Sequence, residues 1–219
     1  MPFRNRAEAG RKLGEALAEF KGMDVVVLGI PRGGVVVARE VAKALEAPLD
    51  IVVTRKIEAP GEPEYGLGAV TQEGDVLMDR KAAESVGASD EYLDDQVRKK
   101  REEVRERMER LRPSVPYPKL ERKVVIIVDD GIATGSSVEA AVMSVKKRGP
   151  KEIVVAVPVA PADAKARLAK SGAKIVCLET PWSFFAIGEF YADFGQVEDD
   201  EVRRIMDECA GAARRGAAP

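Results

Sequence analysis

The chain has 219 residues, 45% of them hydrophobic and 33% charged, with a formal net charge of −2. That balance supports a buried core, argues against a disordered chain, and lacks the global positive field expected where nucleic acid is the main partner. With no histidine and only two cysteines, Cys177 and Cys209, the chain excludes Ser-His-Asp and Cys-His catalysis and His-ligated metals, and nothing calls for a disulfide scaffold.

The opening segment "MPFRNRAEAGRKLG" lacks the apolar centre of a signal peptide, and no apolar run approaches the ~20 residues that span a bilayer. A soluble, cytoplasmic protein without membrane contact is expected. Asn5 followed by Glu8 resembles a capping box, and Leu13, Ala16, Leu17 and Phe20 repeat at helical spacing. "DVVVLGI" (24–30) has the β-branched continuity of a strand buried on both faces, "PRGG" breaks it, and 35–45 continues as a helix. "DIVVTRKI" (50–57) predicts a second strand. "EAPGEPEYG" (58–66) is too rich in proline and glycine for regular structure, and a short hairpin is expected around Glu73 and Gly74.

Residues 89–112 are densely charged, with a narrow apolar stripe at Leu93, Val97, Val104, Met108 and Leu111. They predict an exposed helix, projecting or lying over the body, and the stripe is a candidate surface for a homodimer. Its basic residues alternate with glutamate, so a solvated face fits better than a nucleic-acid surface. Strands at "KVVIIVD" (123–129), "EIVVAVPV" (152–159) and "KIVCLET" (174–180) then alternate with helices at 138–145 and 163–170. Cys177 lies within the last strand as a small core residue. The fold class is therefore α/β: a doubly wound, mostly parallel sheet with helices on both faces. One domain over 1–219 is expected, with a charged helical insertion at 85–113 and a C-terminal hood or tail at 178–219.

Ligands of such sheets bind at the carboxyl ends of the strands. "PRGG", "TRK" and "DDGIATGSS" fall there and should converge. The small residues of "ATGSS", ahead of a helix, allow close backbone approach, and the helix amides favour an anion. Alone, the segment reads equally as a tight turn with N-capping hydroxyls. The adjacent Asp129 and Asp130 shift that balance. Two carboxylates ending an apolar strand repel each other unless something engages them. A vicinal diol can donate to both while its sugar phosphate rests on the amides, and Mg2+ would suit the same oxygen-rich setting.

"VVIIVDDGIATGSS" (124–137) resembles the signature of the type I phosphoribosyltransferases, which bind phosphoribosyl pyrophosphate (PRPP). The resemblance covers most of the chain. It implies the type I fold and makes Asp129 and Asp130 the acids for the ribose 2- and 3-hydroxyls. Ala133, Thr134, Gly135, Ser136 and Ser137 become the loop for the 5-phosphate. Gly131 departs from the aliphatic or β-branched residue usual there. Pro31, Arg32, Gly33 and Gly34 resemble the family's pyrophosphate loop. Arg55 and Lys56 resemble the Arg-Lys strand end that neutralises pyrophosphate, and "APGEPEYG" (59–66) falls where the family has a mobile closing loop.

The implied reaction is Mg2+-dependent transfer of the phosphoribosyl group to a nucleobase, with purine salvage as the implied role. "PWSFFAIGEFYADF" (181–194) resembles the tail of hypoxanthine-guanine transferases, which implies Phe185 as the base-stacking aromatic, with Trp182 and Phe184 as rivals. It also implies Asp193, with Asp129, near the metal. Ala133 stands where oxopurine transferases carry an aspartate and is more like the adenine and uracil enzymes. A second reading keeps the PRPP site in a regulatory protein without turnover. A third, a phosphatase- or kinase-like domain of the same layered architecture, is opposed by the missing Walker lysine.

Overall fold

The structure, a computed structural model, describes residues 2–113 and 115–216. Helix α1 (Arg6–Ala16) is capped by Asn5, whose side-chain oxygen accepts the Glu8 amide at 3.0 Å. Strand β1 (Val25–Gly29), helix α2 (Gly33–Leu45) and strand β2 (Leu49–Ile51) follow. Next come strands β3 (Thr54–Ala59), β4 (Glu62–Thr71) and β5 (Val76–Met78), then helices α3 (Arg80–Ser85) and α4 (Asp90–Leu111). The second half runs β6 (Val124–Val128), α5 (Ser136–Lys146), β7 (Glu152–Val159), α6 (Ala162–Ala169), β8 (Lys174–Glu179) and α7 (Asp199–Gly216).

The main sheet has the order β2-β1-β6-β7-β8, and every pairing in it is parallel. Alternate residues serve opposite layers. Val26, Leu28, Val125 and Ile127 pack with Val142 of α5 and Leu168 of α6. Val25, Val27, Val124 and Ile126 pack with Leu13 of α1 and Val41 of α2. Cover on both faces explains why β1 and β6 are unbroken aliphatic runs rather than alternating ones.

The segment expected as one strand over 50–57 divides. β2 stays in the main sheet, while β3 crosses into a separate antiparallel sheet of order β3-β4-β5. "EAPGEPEYG" correspondingly forms the turn end of a hairpin, with register shifts at Ile57/Glu58 and Glu58/Ala59 and a turn supplied by Gly61 at φ +76°. A glycine in the left-handed region closes such a turn at no steric cost, which outweighs the composition. The hairpin between β4 and β5 turns at Gly74, φ +81°, as expected.

Helix α4 starts where Ser89 accepts the Tyr92 amide at 3.1 Å. Its apolar stripe is not free for a second copy. Leu93, Val104 and Leu111 are buried together with Ile57 and Leu67 of the small sheet and Val202 and Ile205 of α7. Beyond its C-terminus Arg112 makes a two-pronged ion pair with Asp50, at 2.8 and 2.7 Å, which ties the helix end to β2. Helix α7 stands where only a tail was expected. Its signal was present: Val202, Ile205, Met206 and Cys209 follow helical spacing behind three acidic residues at the N-terminus.

The chain's beginning meets its tail. The Phe3 amide donates to the Phe190 carbonyl and the Ala192 amide to the Phe3 carbonyl, both at 2.7 Å. Phe3, Tyr191 and Phe194 pack in succession, with ring centres 5.6 and 5.0 Å apart. This seam carries α1 toward the carboxyl edge of the sheet. No helix among the described residues is long and apolar enough to cross a membrane.

Candidate active site

In the parallel register Gly29 lies opposite Val128, so β1 and β6 end level. The turns that follow them are therefore forced together. A methyl group on Gly33 would lie 1.9 Å from Asp130 Oδ2, and one on Gly34 would lie 2.8 Å from the Asp129 Cα. Glycine is required at both positions by contact with the acid pair. The peptide between Pro31 and Arg32 is cis.

The two acids differ in what they meet. Asp129 Oδ1 accepts the Asp130 amide at 2.9 Å. Desolvation, then the neighbouring Asp130 charge, hold the Asp129 carboxyl well above the usual aspartate range. Asp130 Oδ2 accepts Arg6 Nε at 2.7 Å, and the two side chains are only 14% and 11% exposed. Arg6 also donates to the Gly195 carbonyl at 2.7 Å and lies 3.8 Å from the Phe194 ring centre. The Tyr191 hydroxyl donates to the Asp130 carbonyl at 2.6 Å, and burial, then the Asp130 charge, keep that phenol protonated. Asp130 Oδ1 has no hydrogen-bond partner among the described residues. One oxygen of this acid is thus held in place, and the other can take a ligand hydroxyl.

Arg6, Tyr191 and Phe194 were not legible as site residues. They lie at opposite ends of the chain and reach Asp130 only through the Phe3 seam. Gly131 is explained in the same way. A methyl group there would lie 2.6 Å from Ile187 Cγ2, so the packed tail requires the small residue.

The loop ahead of α5 turns through Gly135 at φ +79°, directly before the helix. Ala133, Thr134 and Ser137 are exposed or partly so, and the hydroxyls of Thr134 and Ser136 are 3.3 Å apart. The amides of a first helical turn have no partner within the helix, so this end presents donors and a favourable dipole to an anion. Arg167 of α6 stands beside it. A methyl group on Gly135 would lie 3.1 Å from Arg167 Nη2, while Arg167 Nε is 3.9 Å from Glu139. This cation next to the loop also escaped the sequence, since it comes from the following helix.

Arg55 and Lys56 are adjacent on β3 and therefore point to opposite faces. Lys56 lines a cavity of about 790 Å³, shared with Tyr65, Met78, Ser136, Glu139 and Arg167. Arg55 turns to α4 and meets Glu103 at 3.2 Å. In the tail, Trp182 and Phe185 are strongly exposed, at 107% and 85%, whereas Phe184 stacks on Phe190 at 5.5 Å. Asp193 is exposed and accepts the Gly195 amide at 3.3 Å.

Among the described residues no group of three or more acids or cysteines is placed to hold a metal ion. The donor set fits a Mg2+ that arrives with its own phosphate oxygens and adds one carboxylate. Asp129, which makes no ion pair among the described residues, would supply that carboxylate in its deprotonated form.

Carboxylate oxygens for hydroxyls beside helix amides for a phosphate, at the carboxyl edge of a parallel sheet, have the chemistry of a sugar-phosphate site. The chain belongs to the phosphoribosyl transferase domain family, whose model matches residues 4–193. Two curated proteins from Mycobacterium tuberculosis strains, both provisionally named phosphoribosyl transferases, are 42% identical to it over 205 residues. The match takes in 94% of this chain but 46% of theirs, so the chain spans about half the length of these relatives. The crystal structure of TT1426 from Thermus thermophilus is 46% identical and superposes with a TM-score of 0.85, covering 95% of this chain and 99% of that one.

Proposed function

We propose that this domain transfers the 5-phosphoribosyl group of PRPP to a nitrogen of a nucleobase, with release of pyrophosphate, in purine salvage in the cytoplasm. The observation that carries the reading is the contact between the acid pair and the glycine turn. A ribose whose hydroxyls donate to Asp129 and Asp130 is held directly against Gly33 and Gly34, where its leaving group needs donors.

In this reading the amides around Ala133, Thr134, Gly135, Ser136 and Ser137 hold the 5-phosphate. Pro31, Arg32, Gly33 and Gly34 hold the pyrophosphate through their backbone, and Lys56 and Arg55 add charge from the two faces of β3. The bond from the anomeric carbon to pyrophosphate breaks as the bond from the base nitrogen forms. Charge builds on the departing oxygen, and fixed donors aimed at it lower the barrier without any general base from histidine. Mg2+, when bound, neutralises the pyrophosphate. Phe185, with Trp182 as the alternative, offers the stacking face for the base, and Asp193 lies on the same tail. Ala133 gives this loop no carboxylate for a purine proton, which favours testing adenine and uracil beside guanine and hypoxanthine.

The second reading, a PRPP- or nucleotide-binding regulator without turnover, uses the same acid pair and phosphate loop. One experiment separates the two. Pyrophosphate release is followed with PRPP, Mg2+ and each base in turn. Turnover with any base establishes the transferase. PRPP binding without turnover supports the regulator, and absence of both removes the site assignment.

A further inference from the structure

Helix α4 carries seven basic residues, and six of them have a partner. Arg98 and Lys99 pair with Asp95 at 2.6 and 2.7 Å. Lys100 pairs with Glu103 at 3.2 Å, and Arg101 donates to the Gly74 carbonyl at 2.9 Å. Arg105 pairs with Glu102 and Glu109, and Arg110 with Asp199 at 2.7 Å. Arg107 makes no ion pair or hydrogen bond among the described residues, although it is half-buried.

Its position makes this costly. Glu103, Arg107 and Arg110 share one face of the helix, at spacings of four and three. Glu103 is bonded to Arg55 on β3, and Arg110 to Asp199 at the start of α7. Asp199 is also 3.8 Å from Arg32, which belongs to the glycine turn beside the acid pair. That separation is too long for a hydrogen bond, and Asp199 Oδ1 is buried without one. Four guanidinium groups, Arg32, Arg55, Arg107 and Arg110, thus gather around the carboxylates of Glu103 and Asp199, while Lys100, also on Glu103, is offset by Glu58 at 3.9 Å. Burial, then the charge of Arg55, with Arg32 and Arg110 adding to it against Asp199, make the charged form of Arg107 less favourable than usual.

We propose that Arg107 and Arg110 join Arg32 and Arg55 in an anion subsite that continues the glycine turn outward and takes the far phosphate of a pyrophosphate-bearing ligand. The inference rests on the reading of residues 31–34 as a pyrophosphate loop and gives the charged helix a part in it. The excess of two positive charges matches a phosphate dianion. Guanidinium forks suit phosphate oxygens in two-point contact, and a bound anion relieves the mutual repulsion of the cluster. A plain solvated arginine would not account for the arrangement, because it would stand clear of like charges.

The test is calorimetric binding of inorganic pyrophosphate and inorganic tripolyphosphate, with ribose 5-phosphate as the reference for the other end of the site. Arg107→Gln removes a repelled charge and is expected to fold with a Tm no lower than the parent. It should weaken pyrophosphate at least tenfold, weaken tripolyphosphate more, flatten the salt dependence of both, and leave ribose 5-phosphate unchanged. Arg107→Lys keeps the charge without the fork and should lose less than the glutamine variant. Unchanged pyrophosphate affinity in folded Arg107→Gln, with ribose 5-phosphate still bound, overturns this inference alone. If the parent protein binds neither ribose 5-phosphate nor PRPP, the functional reading beneath it falls as well.

Discussion

Replacing Arg6 with methionine tests whether the acid pair depends on a residue from the other end of the chain. The substitution keeps an apolar stem over Phe194 and removes the donors that reach Asp130 and the Gly195 carbonyl. Breaking a fully buried ion pair by deleting one partner costs about 3–5 kcal/mol, and a charge-assisted hydrogen bond about 1.5–3. At 11% and 14% exposure this pair falls toward the lower part of those ranges, so a loss of about 2–3 kcal/mol is expected. For a chain of this size each kcal/mol moves Tm by about 2–4 °C, which places the drop at roughly 4–12 °C. Asp130→Asn should then recover much of the loss, because the cost lies in an unpaired carboxylate beside Asp129. Thermal unfolding of the two single variants and the double variant gives the coupling directly. If the single effects add to within about 0.5 kcal/mol, the Arg6–Asp130 contact is incidental and the reasoning fails.

Further outcomes follow from the same geometry. Asp129→Asn should stabilise the ligand-free protein at neutral pH. Because the folded carboxyl titrates above its unfolded value, parent stability falls as pH rises through that window, so the advantage of the variant should vanish as pH drops below the ordinary 3.8. An advantage that persists or grows in acid would contradict this, as would unaltered PRPP binding by Asp129→Asn/Asp130→Asn. Gly33→Ala should weaken both pyrophosphate and ribose 5-phosphate tenfold or more, since its methyl would displace Asp130 as well as fill the turn; loss of pyrophosphate binding alone would show that the acid moves freely. Phe185→Ala should raise the KM for the base about tenfold or more, from a stacking contribution of about 1–3 kcal/mol, with little change in PRPP binding. Equal kinetics in both Phe185→Ala and Trp182→Ala would remove the tail from the base site.

The main sheet was legible because its evidence is local. "VVVLG" and "VVIIV" are continuous β-branched runs, and the turns that end them carry glycines. The small sheet was less so. Nothing between Val52 and Thr54 marks the point where the strand leaves one sheet for another, since no glycine or proline interrupts residues 50–57 and the change is one of partner. Composition misled at residues 58–66 because proline and glycine were weighed as breakers, whereas Gly61 alone makes the turn and the flanking residues pair. The stripe on α4 is legible as apolar, but the sequence leaves open whether the body or a second copy covers it; its cover, β3, β4 and α7, comes from segments distant in the chain.

The same distinction divides the site. Asp129, Asp130 and residues 133–137 could be seen as one constellation because they are contiguous, and a ligand contacting them must meet them in that order. What tunes them is long-range. Arg6 lies 124 residues from Asp130, Tyr191 lies 61 away, and Gly131 is small because Ile187 presses on it. These contacts share one physical origin, the seam between Phe3 and the residues around Tyr191, which draws both ends of the chain over β6. The glycine at 131 is therefore the condition for closing that seam. An aliphatic side chain there would push Ile187 outward, loosen Tyr191 and Phe194, and with them the hold of Arg6 on Asp130. The glycine at 131 and the cation on Asp130 are thus one structural feature. Each makes room for, or depends on, the other.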